Sequence, residues 1–298
     1  MPAPRLSPRT ATRIGLSAIL LWSTLALATA ASGRVPPFLL TALTFGIAGL
    51  AGLAIALPRD GLAILRQSPA AWLHGVGGLF GFHFLYFTAL KLAPPAEAGL
   101  ICYLWPLLIV LFSAALPGGG LRPAHVFGAL AGLAGVATLL AGKGGLSGFS
   151  LAFVPGYLAA LGAALVWAVY SVASRWFQAV PTGAVAGFCL GTAALAVPCH
   201  LALEPTLWPA GPAEWGAVAA LGLGPVGLAF YVWDVGMKQG DVRFLGVAAY
   251  AAPVLSTLLL VAFGYAQAHW TLAAACLLIV GGAGLATRAA PRDLSEPG

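Results

Sequence analysis

The sequence is short of charge. Only 7% of its 298 residues are Asp, Glu, Lys or Arg, and just 8 of those are acidic. A water-soluble domain carries about 25% charged residues, so this chain cannot cover itself with a solvated surface. Aspartate is scarcer still. The four present, Asp60, Asp234, Asp241 and Asp293, form no DxxD or DxxxD pair, so a membrane enzyme that holds Mg²⁺ against a lipid or prenyl diphosphate lacks its ligands. No GxxxxGK[ST] stretch is present to cradle nucleotide phosphates. The four cysteines, Cys102, Cys189, Cys199 and Cys276, sit in apolar segments without a CxxC pair, and read as small buried hydrophobes rather than disulfide or metal sites. No cofactor and no metal are expected. The net charge of +6 comes from basic residues scattered through short links, which reads as a topology signal and not as a nucleic-acid footprint.

What is plentiful is apolar surface: 60% of residues, with a mean hydropathy of +0.96. The apolar runs are about 17–25 residues long, enough to cross a hydrocarbon core as helices, and they lack the strict alternation of barrel strands. The expected fold is therefore an all-α integral membrane protein with ten transmembrane helices over 13–31, 37–57, 70–92, 96–116, 125–141, 153–176, 182–203, 214–238, 242–264 and 271–287. Its partners are then the lipid bilayer and a small-molecule substrate, and a monomer is the expectation. Pro36, Pro95, Pro181 and Pro212 stand near helix starts, where a missing N–H costs little. Arg5, Arg9 and Arg13 before an apolar run that ends at Ala28-Thr29-Ala30 make a cleaved signal peptide the rival for the first segment.

The chain writes one block twice. Lys91, Gly99, Tyr103 and Pro106 recur as Lys238, Gly246, Tyr250 and Pro253, each at an offset of 147 (238 − 91, for example). Trp22 pairs with Trp167, Pro36 with Pro181 and Gly46 with Gly191 at 145, and Trp72 with Trp215 at 143. The alternative is coincidence among common membrane-helix residues. The preferred reading is a duplicated half-protein, residues 1–145 and 146–298, which also keeps the first helix, since Trp22 has its counterpart. Counting basic residues places both termini in the cytoplasm: eleven of the 14 then fall at inside ends, leaving only Arg34, Lys91 and Lys143 outside. Five helices per half is an odd number, so the halves insert upside down relative to each other. Inverted repeats of this kind place a substrate site at the repeat interface, near the membrane midplane.

On these grounds the chain resembles the drug/metabolite transporter superfamily, in its ten-helix group built from two EamA-type repeats. Tyr103-Leu104-Trp105-Pro106 opening the fourth helix, with Trp22 in the first, is closest to the YddG-type aromatic amino acid exporters. That resemblance implies export of aromatic and other apolar amino acids by alternating access across a bacterial inner membrane. A drug or other metabolite permease of the same fold is the alternative; a membrane-embedded lipid or prenyl enzyme is the reading from another class. The chain departs from the wider family in having no Glu in the links 117–120 and 265–268.

The candidate substrate-binding residues are Trp22, His83, Tyr86, Tyr103, Trp167, Tyr170, Tyr231 and Tyr250. Trp22 and Trp167 lie mid-span, where an interfacial anchor is not needed, whereas Trp72, Trp208, Trp215 and Trp270 lie at helix ends and read as anchors. His83, Tyr86, Phe87 and Leu90 share one face of the third helix. An ionisable group at that depth is a functional candidate; a neutral histidine satisfied by one partner is the plain alternative. Asp234 and Lys238, four apart, can pair on one helix face, either as a closed gate or as a structural pair. Pro106 and Pro253 lie inside their helices and can kink them, for gating or for packing.

Overall fold

A computed structural model describes residues 6–117, 120–142, 150–264 and 267–288. The expected boundary between residues 145 and 146, with Arg5, Lys143, Arg292, Asp293 and parts of both Glu-free links, lies outside the described residues. Among the described residues nine helices are long and apolar enough to cross a membrane: α1 (Pro8–Ala31), α2 (Pro37–Arg59), α3 (Pro69–Leu92), α4 (Pro95–Ala115), α5 (Pro123–Gly142), α6 (Leu151–Phe177), α7 (Thr182–Leu203), α8 (Pro212–Gln239) and α9 (Val242–Ala262). The tenth, α10 (Trp270–Arg288), carries a shorter apolar stretch, Trp270–Ala286. No strand occurs among the described residues.

The helix starts follow local chemistry. The Ser7 hydroxyl accepts from the Thr10 amide, and Pro8 occupies the first turn, so α1 begins five residues before the sequence expectation. Ser68 and Pro69 do the same for α3. Pro36 has no side chain to cap α2. Glu204, at the end of α7, supplies the cap instead: its carboxylate accepts from the amides of Phe38 and Leu39, and His200 Nδ1 lies 3.0 Å from it.

Helix pairing obeys an exchange of the two halves. α1 packs on α8 and α3 on α6, while α2 pairs with α7, α4 with α9 and α5 with α10. Swapping each helix for the one five places along leaves that list unchanged, as two inverted five-helix repeats require. Close approach is set by small residues at matched crossings. A Cβ on Gly15 of α1 would lie 3.0 Å from the Gly236 Cα of α8, and one on Gly128 of α5 would lie 2.5 Å from the Gly282 carbonyl of α10. The α3–α6 crossing uses the buried pair Ala89 and Ala160, at offsets of 147 and 145 from Gly236 and Gly15.

The exchange fails at the helix ends, and there the failure is informative. Contacts from Leu6 to Gln239, Thr12 to Asp241 and Arg175 to Gly240 gather residues near the chain start, the end of α6 and the α8–α9 link at one end of the bundle, here the terminal end. There the last turn of α6, Ser174–Phe177, packs on Ala229–Gln239 of α8. Its counterpart at the opposite end, Leu25–Ala31 of α1, makes no comparable contact with α3 and packs on Pro212–Leu223 of α8 and Ala251–Ala262 of α9. Exposure agrees. From Phe80 to Thr88 every residue of α3 is partly exposed, while Ala229, Phe230, Trp233 and Asp234 in the matching part of α8 are buried.

The two prolines of the repeated block do not kink continuous helices, as the sequence suggested. α4 is already interrupted at Tyr103-Leu104, and Pro106 stands in the first turn of its second segment, Trp105–Phe112. α9 is interrupted at Ala249-Tyr250, and Pro253 opens Ala251–Ala262. The Ala252 amide reaches back to the Ala249 carbonyl, which Pro253 cannot serve. α8 carries a π turn, Gly224–Leu228, around Pro225.

Candidate functional site

At the centre of the bundle the interrupted helices converge on a cluster of indoles. Trp22 of α1 lies 4.9 Å from Trp233 of α8, 5.8 Å from Trp167 of α6 and 6.2 Å from Trp105 of α4, centroid to centroid. Most of these pairs meet edge to face, the arrangement the ring quadrupole favours. Phe230 joins at 5.8 Å from Trp167, and Phe45 of α2 stacks on Phe230 at 5.4 Å. His83 of α3 meets Phe45 at 5.0 Å and Phe82 at 5.2 Å, while its Nδ1 lies 2.7 Å from the Leu79 carbonyl. That bond leaves Nε2 free of a hydrogen-bond partner among the described residues, with the ring partly exposed. Trp105, Trp167 and Trp233 are buried, but Trp22, Phe82, His83 and Tyr86 keep a partly exposed face.

Of the expected binding residues, Trp22, Trp167 and His83 meet in this cluster, and Tyr86 joins through its stack on Phe82 at 5.8 Å. Tyr170 touches Trp167 at 5.2 Å but also stacks on His74 at 4.9 Å, so it divides the cluster from the terminal end. Tyr103 lies at the α4 interruption, packed on the second core between α5, α9 and α10. Tyr250 is not brought to the cluster. It is fully buried in that second core, and a Cβ on Gly132 would meet its ring. Tyr231 also stands apart, its hydroxyl donating to the Ala48 carbonyl across the α2–α8 interface. Trp105, Trp233, Phe230 and Phe45 were not expected. Trp105 shares the mid-span position that singled out Trp22, which is the signal that would have found it; Trp233 lies six residues from the end of α8 and carries no such signal. Trp72, expected as an anchor, is part-buried against Phe188 at 5.4 Å.

Between the cluster and the terminal end the path is shut. Lys238 Nζ lies 2.9 Å from Asp234 and donates to the Val180 carbonyl at 2.8 Å, and the Thr182 hydroxyl donates to Asp234 at 2.7 Å. His74 is sandwiched between Tyr170 and Phe177, and its Nε2 lies 3.3 Å from the Ser174 hydroxyl. The space left among these residues is about 10 Å³, the least that holds one water. Asp234 and Lys238 are both buried, and each has hydrogen bonds besides the ion pair, which a buried pair needs to offset desolvation.

A bundle of ten helices in two inverted halves, with α4 and α9 interrupted at matched positions, an aromatic centre and one shut end, is the plan of a secondary transporter. The sequence pattern of the EamA-like transporter family matches residues 13–141 and 154–288. The chain belongs to the EamA-like transporter family. It is similar to a protein of Ancylobacter novellus named aromatic amino acid exporter YddG, with 65% identity over 96% of this chain and 100% of that one. A protein of the same name from Escherichia coli is 29% identical over 91% of this chain and 94% of its own length. A solved crystal structure, 66% identical, superposes with a TM-score of 0.91 over 95% of this chain and 98% of the other. As an EamA-like transporter the chain is a multi-pass membrane protein that moves a small molecule, which sets the lipid or prenyl enzyme aside.

Proposed function

We propose that this chain exports amino acids, aromatic and other large apolar ones, by alternating access, with the four-tryptophan cluster as the place where the side chain rests. The observation that carries the reading is the convergence of Trp22, Trp105, Trp167 and Trp233 from four different helices, two from each half. Rings contributed by both repeats surround one point, and aromatic pairs add about 0.5–1.5 kcal/mol beyond area burial. His83 and Tyr86 supply polar atoms at the rim for the amino acid's charged groups. Tyr103 and Tyr170 border the path above and below; Tyr231 and Tyr250 support helix packing from outside it. The names of the similar exporters point the same way.

Both termini lie in the cytoplasm of a bacterial inner membrane in this reading, by the bias of basic residues, and the halves divide near residues 145 and 146. The terminal end is then the cytoplasmic mouth, shut here by Asp234, Lys238 and His74, and the cluster faces outward. Pro106 and Pro253 hold the interruptions about which α4 and α9 bend as the mouths exchange. The unit that works is the monomer, since each half completes the other's site. Vesicles containing the purified chain and loaded with single amino acids test the function: phenylalanine and methionine should leave faster than aspartate or lysine. Repeating the assay with a pH gradient separates uniport from proton coupling. Equal efflux of all four, or efflux only of cationic drugs, refutes amino acid export.

A further inference from the structure

The terminal end holds a second space beside the shut path. At the opposite end the last turns of α1 pack on the start of α8 and on α9; at the terminal end the last turn of α6 packs on the last part of α8. A cleft of about 370 Å³ stands there, walled by Ser113, Leu116, Arg175, Trp176, Asp241 and Arg243. Its charge is unbalanced, two guanidiniums to one carboxylate. Asp241 Oδ1 is committed to the Arg243 and Phe244 amides as a helix cap, and neither arginine forms a salt bridge with it. Arg175 donates to the Gly240 carbonyl, while Nε of Arg175 and Nε of Arg243 are each buried with no partner among the described residues. Buried donors of this strength are normally satisfied, and paired guanidiniums fit the tetrahedral oxygens of a phosphate. Depth narrows the source. The cleft lies at the helix ends beside Trp176, which is 61% exposed as an interfacial anchor is, and basic pockets between helices on the cytoplasmic side suit phospholipid head groups.

We propose that this cleft binds the phosphate of an anionic phospholipid of the cytoplasmic leaflet, and only while the cytoplasmic mouth is shut. In the exchanged arrangement α6 would lean on α4 as α1 now leans on α9, filling the cleft and withdrawing Arg175 from Gly240. A ligand that binds one state alone draws the population to it, so the lipid slows return to the inward-facing state. The leaflet assignment rests on the cytoplasmic termini argued above; the binding itself does not.

The test uses native mass spectrometry of the full chain and of Arg243→Gln, offered phosphatidylglycerol, phosphatidylcholine or inorganic phosphate, with thermal unfolding to show that the variant is folded. Wild type should retain phosphatidylglycerol about tenfold better than R243Q does, with phosphatidylcholine retained equally by both. In phosphatidylglycerol vesicles a cysteine at the cytoplasmic mouth should label several-fold more slowly than in phosphatidylcholine, and R243Q should remove the difference. Equal retention of phosphatidylglycerol by wild type and R243Q overturns the site. Binding of inorganic phosphate with no preference between the lipids overturns the lipid as its source. Intact binding with protection on the other face of the vesicle contradicts the orientation alone.

Discussion

At the scale of single residues, side chains proposed to touch substrate should respond to substitution differently from those that hold the helices. Trp167→Ala should raise KM for phenylalanine several-fold while changing that for alanine little, because about 1 kcal/mol of ring contact is lost only where the substrate has a ring to offer. Equal loss for both substrates would assign Trp167 to packing. Asp234→Asn leaves Lys238 buried with a weaker partner, and breaking a buried ion pair costs about 3–5 kcal/mol. That cost falls on the shut mouth at the terminal end, so labelling of a cysteine there should speed up at least tenfold. Unchanged labelling would leave Asp234 and Lys238 as a structural pair. Glu204→Ala removes the cap on α2, with an expected loss of about 1–2 kcal/mol, read as a lower unfolding temperature. That Trp22, Trp167 and His83 lie at mid-depth was legible in the sequence because depth within a span is a simple count from the helix ends. That Tyr250 and Tyr231 stand outside the indole cluster was not, for a physical reason. A one-dimensional register tells which residues match across the repeat, but not which neighbours a ring meets: Tyr250 enters the second core, and the Tyr231 hydroxyl reaches the Ala48 carbonyl of α2.

At the scale of helices, the repeated block marks where α4 and α9 are interrupted. The sequence placed Pro106 and Pro253 correctly within their spans, yet could not show that the chain breaks before them, since Tyr, Leu and Ala carry no break signal. An interruption already present would serve as a hinge without being created on each cycle, which is the role proposed for it. Pro106→Ala restores an amide to the chain and lets Pro95–Cys102 and Trp105–Phe112 fuse into one helix. A bias of about 1.4 kcal/mol shifts the ratio of states tenfold, so turnover should drop about that much while phenylalanine binding in the favoured state persists. Transport rate and binding measured on the same preparation check this. Unaltered rates in both Pro106→Ala and Pro253→Ala would move the hinge elsewhere, the π turn Gly224–Leu228 being the next element to test. The crossing of α1 and α8 at Gly15 and Gly236 is the complementary case. Gly236→Leu forces two backbones apart and should abolish folded yield, not merely transport.

At the scale of the whole molecule, the two halves are alike in pairing and unlike at their ends. Ten helices, their order and the duplicated register all followed from apolar run lengths and from a handful of matched residues, because a bilayer allows few other solutions. Which end is shut did not follow. That depends on the small lean of α6 toward α8 and of α1 toward α9, an energy difference of a few contacts that the pattern of residue types does not encode. Two such arrangements of one repeat pair are what a carrier needs, and a carrier differs from a pore in that substrate on the far side speeds the return of the empty site. The most direct measurement is therefore counterflow. Vesicles containing the chain are preloaded with unlabelled phenylalanine or left empty, and uptake of labelled phenylalanine is followed in each. Alternating access predicts initial uptake several-fold faster into the preloaded vesicles, with that gain lost when aspartate is the preload. Uptake that is indifferent to the contents of the vesicle, or no faster than in protein-free vesicles, would contradict it.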